Sequence, residues 1–277
     1  YRRIVAVTRS RDGALAIGGA GAPVEWLIEM SRFDQHALFD QLAARGALDP
    51  PLMIALAAAI ARFHATAERR PDHGGAAALQ AIVDGNIEGL AEHGAGFLDP
   101  AIREALTRRW RDHLARTGPL LDRRRRDGFV RQCHGDLHLR NIVLLDGKPT
   151  LFDAIEFNDD IACCDILYDL AFLLMDLWRH HLPAQANALW NGYLGAAGDV
   201  SGLPLLPLFL STRAAIGAKT AATAAALQSS ESRRRDLQRE SQDYLALAEQ
   251  LLHPAAPCVV AVGGFSGSGK SSLAFDT

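Results

Sequence analysis

Cys133-His134-Gly135-Asp136-Leu137-His138-Leu139-Arg140-Asn141 runs directly into the apolar stretch Ile142 to Leu145, the turn Asp146-Gly147-Lys148, and Thr150-Leu151-Phe152, which ends at Asp153. Apolar runs on either side of an Asp-Gly turn spell a small hairpin. Two carboxylates, Asp136 and Asp153, and one carboxamide, Asn141, are thereby delivered to the mouth of that hairpin. A little further on comes Asp165-Ile166-Leu167-Tyr168-Asp169-Leu170-Ala171. Taken singly, His134 and Asp136 could cap a turn, and Asp153 could cap the helix after it. The combined pattern outweighs that reading.

Phosphoryl transfer from a nucleotide needs this set: one Asp to orient the attacking hydroxyl, and an Asn with a second Asp to hold magnesium. Asp136 and Asn141 stand five apart. That is the spacing of H-R-D-x-x-x-x-N in protein kinases, with Gly135 in place of the Arg. Asp153 follows across a hairpin, where a kinase carries its metal-binding Asp.

At these residues the chain resembles the aminoglycoside phosphotransferase family, small-molecule kinases of protein-kinase-like fold. That family reads H-G-D-x-x-x-x-N, then a metal Asp on the next hairpin, then D-x-x-x-D-L-A. The resemblance spans about residues 1–250 and implies Asp136 as catalytic base, Asn141 and Asp153 as magnesium ligands, and His134 as a brace of the loop. ATP and magnesium are the cofactors it implies, and the hydroxyl of a small molecule is the acceptor. More narrowly, Cys133 to Asn141 joined to Phe152-Asp153-Ala154-Ile155-Glu156-Phe157-Asn158-Asp159-Asp160 is similar to a bacterial group whose kinase-like domain is fused to a P-loop domain. Glu156 reads either as a support for the metal's ligands or as a solvated loop acid.

Composition agrees with an ordinary globular chain. Its 277 residues are 49% hydrophobic and 22% charged, enough apolar mass for a real core. A net charge of −3 and a pI near 6.4 give no bulk attraction to nucleic acid or an anionic membrane, so neither is expected as a partner. No apolar run reaches the length of a membrane span, and no signal peptide is expected. Cys133, Cys163, Cys164 and Cys258 lack zinc or disulfide-framework spacing, which points to buried free thiols in the cytoplasm.

The reading is α+β and protein-kinase-like: a partial small β lobe, then a mostly helical large lobe, then the beginning of a P-loop unit. Residues 1–33 read as strands, with Arg3 to Thr8, Ala14 to Gly18 and Val24 to Glu29 around an Arg11-Asp12-Gly13 turn. The resemblance makes Glu29 and Met30 the hinge whose backbone meets the adenine ring; otherwise this is a plain three-stranded antiparallel piece.

Residues 34–252 read as the helical lobe. Asp34 caps a helix bearing Leu38, Phe39 and Leu42, and Asp49-Pro50-Pro51 opens one bearing Met53, Leu56, Ile60 and Phe63. His64 beside that stripe reads as a satisfied core or boundary residue. Helices follow over 76–93, 100–116 and 117–128, the last with Arg123 to Arg126 as a solvated face or a contact to an anionic substrate. Further helices are expected over 165–181, from Pro183 to about Leu194, and over 203–228 and 231–252.

Residues 253–257 read as a linker, and residues 258–277 as the start of a P-loop domain. Gly264 to Ser271 satisfies G-x-x-x-x-G-K-[ST] after the apolar strand Cys258 to Val262. Gly264, Gly267 and Gly269 would let the backbone wrap phosphates, with Lys270 on their oxygens and Ser271 toward magnesium. Both chain ends read as cut. The family's glycine-rich strand and small-lobe lysine would precede Tyr1, and none of Lys148, Lys219 and Lys270 can replace that lysine. The expectation is an impaired kinase fragment whose partner is its own missing P-loop domain. The alternatives are a degenerate kinase-like regulatory module, and a P-loop working site on a helical scaffold.

Overall fold

The structure is a computed structural model that describes residues 2–253 and 263–269. It opens with three antiparallel strands, β1 (Arg3–Arg9), β2 (Leu15–Ile17) and β3 (Ala22–Glu29), in the order β2-β1-β3. Val7 faces Ile17 and Arg3 faces Glu29, with an irregularity between Val7 and Thr8. The expected turn is present: Gly13 takes φ +87, which only glycine adopts without strain. This sheet is exposed on both faces, with Ile4 69% and Leu27, on the opposite face, 41% exposed.

Helices take over from there. Asp34 caps a single 3-10 turn, Gln35–Ala37, rather than a full helix. Then come α1 (Phe39–Ala44), α2 (Pro50–Thr66), α3 (Gly75–His93) and α4 (Pro100–Arg126). Asp49 and Asp99 accept N–H bonds at 2.8 Å from Leu52 and Ala101, each just ahead of a proline in the first turn. After α4 the chain forms β4 (Val130–Gln132), the hairpin β5 (Ile142–Leu145) and β6 (Lys148–Leu151), the short α5 (Asp159–Ala162) and β7 (Cys163–Asp165). Four helices close it: α6 (Ile166–Arg179), α7 (Pro183–Ala197), α8 (Leu206–Leu227) and α9 (Glu231–Leu252).

α6 is the centre of the core. α8 lies against it and against α3, α9 packs along α8, α4 against α3, and α2 against α7. Leu167, Leu170, Leu173 and Leu177 of α6 are fully buried. Each such side chain contributes about 1.5–3 kcal/mol of hydrophobic stabilisation. Cys133, Cys163 and Cys164 are buried free thiols, as expected. Among the described residues no helix is long and apolar enough to cross a membrane.

Two further expectations need correction. α4 is continuous through residues 116 and 117 despite Pro119, and it packs along α3, where Ala76 stands at ordinary contact distance, 3.6 Å, from the position a Cβ on Gly118 would take. Tertiary packing there overrides the local breaker signal. The arginine run is not simply a solvated face: Arg124 is 1% exposed and fully paired. Ile54 turns to solvent while Met53, Leu56 and Ile60 of the same helix enter the core. Gly263 to Gly269 is exposed, with Gly267 and Gly269 at φ +79. Lys270, Ser271 and the strand expected over Cys258 to Val262 lie outside the described residues.

Candidate active site

β4 pairs antiparallel with β7, Val130 opposite Asp165 and Gln132 opposite Cys163, and the Cys133 N–H donates to the Ala162 carbonyl at 2.8 Å. The loop His134–His138 therefore leaves this ribbon beside the start of α6. Two carboxylates on α6, Asp169 and Asp176, are seven residues apart and so share a face of the helix. Asp169 accepts the Gly135 N–H at 2.8 Å and the His134 N–H at 3.2 Å. Asp176 accepts the Leu139 N–H at 3.0 Å. Three amides of the loop thus hang on buried acids of the central helix.

Asp169 is fully buried, and burial pushes its carboxyl up. The hydrogen bond from His64 and the electrostatic influence of His64, His134 and Arg213 outweigh that, leaving it below the usual carboxylate range. His64 donates from Nε2 to Asp169 at 3.0 Å, while its Nδ1 lies 2.8 Å from the Tyr193 hydroxyl. With both ring nitrogens used, His64 is the satisfied core histidine that its place beside the α2 stripe suggests, and no nitrogen remains for a metal. Gly135 has φ +78, and a Cβ there would come within 3.1 Å of Ile155. Only glycine suits the position.

The loop's other half meets the hairpin. Asn141 donates from Nδ2 to the Asp136 carbonyl and to Asp136 Oδ2, both at 2.9 Å. Ile142 pairs with Leu151, and the Phe152 N–H donates to the Asn141 carbonyl at 3.1 Å. Asn141 and Asp153 therefore lie at the same, open end of the hairpin. His134 clamps the segment around Asp153 from both sides. Its Nε2 donates to the Phe152 carbonyl at 2.9 Å, and its carbonyl accepts the Ile155 N–H at 2.9 Å. Asp153 itself is exposed and takes φ +61, so the backbone turns sharply there. Glu156 is exposed on the same segment.

Asp136 has a neighbour that the motif does not announce. His138 Nε2 sits 3.2 Å from its Oδ2. That hydrogen bond, aided by Asn141 and opposed by partial burial, holds the Asp136 carboxyl below the ordinary range. The group is thus ionised at neutral pH and oriented from two sides.

Asp136, Gly135 and His138 open onto a cavity of about 920 Å³. Its far walls come from α3, α6, α8 and α9, and include Tyr168, Phe172 and Arg213. At the expected hinge, Glu29 and Met30, the Glu29 carbonyl accepts the Arg2 N–H at 2.7 Å and the Glu29 carboxylate pairs with Arg3 at 2.8 Å. Of the two residues, Met30 is the one whose backbone lies beyond the strand.

Sequence reasoning did not single out Asp176, His138, Arg124 with Asp199, or Arg213. A readable signal existed for Asp176, since a carboxylate in the middle of an apolar helix needs a buried partner. Arg124 bonds Asp165 at 2.7 and 2.9 Å and Asp199 at 2.6 and 2.8 Å. Nothing in a run of four arginines marks the one that turns inward.

An uncharacterized protein of Mycobacterium bovis and two uncharacterized proteins of Mycobacterium tuberculosis strains are each 28% identical to the chain over 263 residues. The match covers 92% of this chain and 51% of each of theirs, so the chain spans about half the length of these relatives. Residues 30–205, which hold the catalytic loop, the hairpin and α6, match the model of the phosphotransferase enzyme family, and the chain belongs to that family.

Proposed function

We propose that the chain is an ATP- and magnesium-dependent phosphotransferase acting on a hydroxyl of a small molecule. One observation carries the reading: the hairpin brings Asn141 and the Asp153 segment to one end, and Asp136, bonded to Asn141, faces the cavity. The donor set suits the metal. With Nδ2 of Asn141 turned to Asp136, its Oδ1 and the Asp153 carboxylate offer the hard oxygens that magnesium prefers. A magnesium ion held there would supply positive charge to the nucleotide phosphates.

The chain's own residues do the rest. Asp136 accepts a hydrogen bond from the acceptor hydroxyl, and His138 and Asn141 fix its direction. As the hydroxyl oxygen bonds to the γ-phosphorus, the bond to the β-bridging oxygen breaks, ADP leaves, and the hydroxyl proton passes to Asp136. Because the carboxyl is a weak base, its main contribution is orientation, with proton acceptance late. Met30 is the backbone position for the adenine edge. The run Gly264 to Ser271 would begin a second phosphate-binding unit.

The test is ATP turnover by the full-length protein against a panel of hydroxyl metabolites and aminoglycosides, with Asp136→Asn as control. Magnesium-dependent transfer that the substitution abolishes is the expected result. Turnover indifferent to Asp136→Asn would overturn the assignment.

A further inference from the structure

The cavity beside Asp136 contains a positive charge that the fold leaves unanswered. Arg213, on α8, is only 5% exposed and lines the cavity wall. Its Nε donates to the Tyr168 carbonyl at 3.2 Å, Nη2 is buried without a hydrogen-bond partner, and it forms no ion pair among the described residues. The contrast within the same molecule is Arg124. That guanidinium is as deeply buried, and Asp165 and Asp199 both meet it with short paired bonds. Where a buried arginine serves the fold, this protein surrounds it with carboxylates.

Arg213 instead stacks on aromatic rings. Its Cζ lies 4.0 Å from the centre of the Tyr168 ring and 4.9 Å from that of Phe172. Such stacking offsets part of the charge and holds the guanidinium plane, but it does not satisfy the N–H groups. Asp169 feels the Arg213 charge, yet its oxygens are already occupied by His64, His134 and Gly135. A buried charge without a partner is costly, and a ligand that supplies the partner removes the cost.

The placement relative to the chemistry is specific. Phe172 touches Arg213 on one side, and its ring centre lies 5.2 Å from that of His138, the residue bonded to Asp136. Those two lengths together bound the distance from His138 to Arg213. The neighbouring acids are also engaged: Glu240 holds Arg179 at 2.6 Å, and Asp176 accepts the Leu139 N–H. An oxyanion reaching Arg213 on α8 therefore meets donors on that wall, while further acids of the cavity, Asp40 on α1, Asp136 on the loop and the exposed Asp160 on α5, lie on other elements.

We propose that the acceptor carries an oxyanion, a carboxylate or a phosphate, which Arg213 receives across the Phe172 ring from the hydroxyl oriented by Asp136. This rests on the kinase reading above and adds the substrate class to it. A polycationic aminoglycoside would bring ammonium groups toward the guanidinium and is disfavoured.

The experiment compares glucose, glucosamine, gluconate and glucose 6-phosphate on the full-length protein, by transfer from ATP and by direct calorimetric binding. Wild type, Arg213→Met and Arg213→Lys are used. Gluconate or glucose 6-phosphate should bind at least about a hundredfold more tightly than glucose or glucosamine, because an unpaired buried polar group penalises the analogue that lacks its partner. Which of the two binds distinguishes a carboxylate from a phosphate. Arg213→Met should erase that preference without changing the KM for ATP, and Arg213→Lys should restore part of it. The wild-type preference needs no variant, so a misfolded Arg213→Met does not spoil the test. Absence of transfer to any compound, with the Arg213-dependent anion binding retained, would sink the kinase reading and leave the anion site standing. Equal binding of neutral, cationic and anionic compounds by the wild type overturns the proposal whether or not transfer is seen.

Discussion

Replacing Asp169 by Asn tests whether the central helix sets the catalytic loop. The carboxylate receives three donors: the Gly135 and His134 amides at 2.8 and 3.2 Å, and His64 Nε2 at 3.0 Å. A carboxamide offers one oxygen and brings two N–H donors of its own. If its oxygen keeps the Gly135 amide, its nitrogen faces His134 N–H and His64. His64 can adapt by moving its proton to Nδ1 and donating to Tyr193, but the His134 amide has no such freedom. One buried N–H is then left unpaired, at about 1–3 kcal/mol, and the surviving bonds lose their charge assistance. The total expected loss is about 3–5 kcal/mol, in the range for breaking a buried ionic network. Urea denaturation at neutral pH should show it as a lower midpoint at unchanged slope. The pH dependence follows from the lowered carboxyl of the folded state. Its stabilisation is complete above the unfolded value, near 3.9, and disappears as pH falls through the lower folded value, so the gap between wild type and variant closes only below about pH 4. A gap under about 1 kcal/mol at neutral pH, or one independent of acidification, would refute the reasoning.

The remaining predictions concern the same loop and its supports. Asp136→Asn should lower kcat by about a hundredfold or more while the denaturation midpoint falls only modestly, from the weakened His138 and Asn141 bonds, because the role proposed for the residue is general-base positioning; wild-type kcat/KM should hold down to the ordinary carboxylate range, since its carboxyl lies below it. Gly135→Ala should destabilise by about 2 kcal/mol through left-handed strain and pressure on Ile155, again read as a urea midpoint. Arg124→Met should cost about 3–5 kcal/mol by stranding Asp165 and Asp199, and the midpoint should partly recover in the Arg124→Met, Asp199→Asn double variant.

How much of this was legible before the structure differs by element. The hairpin, with Asn141 and Asp153 at its open end, and the buried helix after Asp165 follow from short-range signals: an Asp-Gly turn between apolar runs, and a longer apolar run. The three-stranded sheet at the start was readable for the same reason. Long-range pairings were not. Arg124 meets an acid 75 residues away, and Tyr193 reaches His64 across 129 residues. No local periodicity encodes which arginine of a run turns inward, because that is decided by how α4 is seated against the α6 end of the core. Gly118 shows the limit most directly. Locally it reads as a break beside Pro119, yet α4 runs on through both residues, packed against α3.

The acids of α6 divide the work in a way that explains the site's economy of parts. Asp165 faces Arg124 and caps the helix through the Leu167 N–H at 2.9 Å, so it ties α6 to α4 and to the Asp199 turn. Asp169 and Asp176 face the other way and hold three loop amides. The loop's backbone is therefore positioned from the core side, by groups that solvent does not reach. Asp136 and His138 are thereby relieved of structural duty and can face the cavity. The buried carboxylates tolerate their desolvation only because each is matched by donors, whereas Arg213, in the same core wall, is not. A fold that satisfies every acid behind the loop but leaves one guanidinium open in front of it is arranged to complete that last pairing with something that enters the cavity.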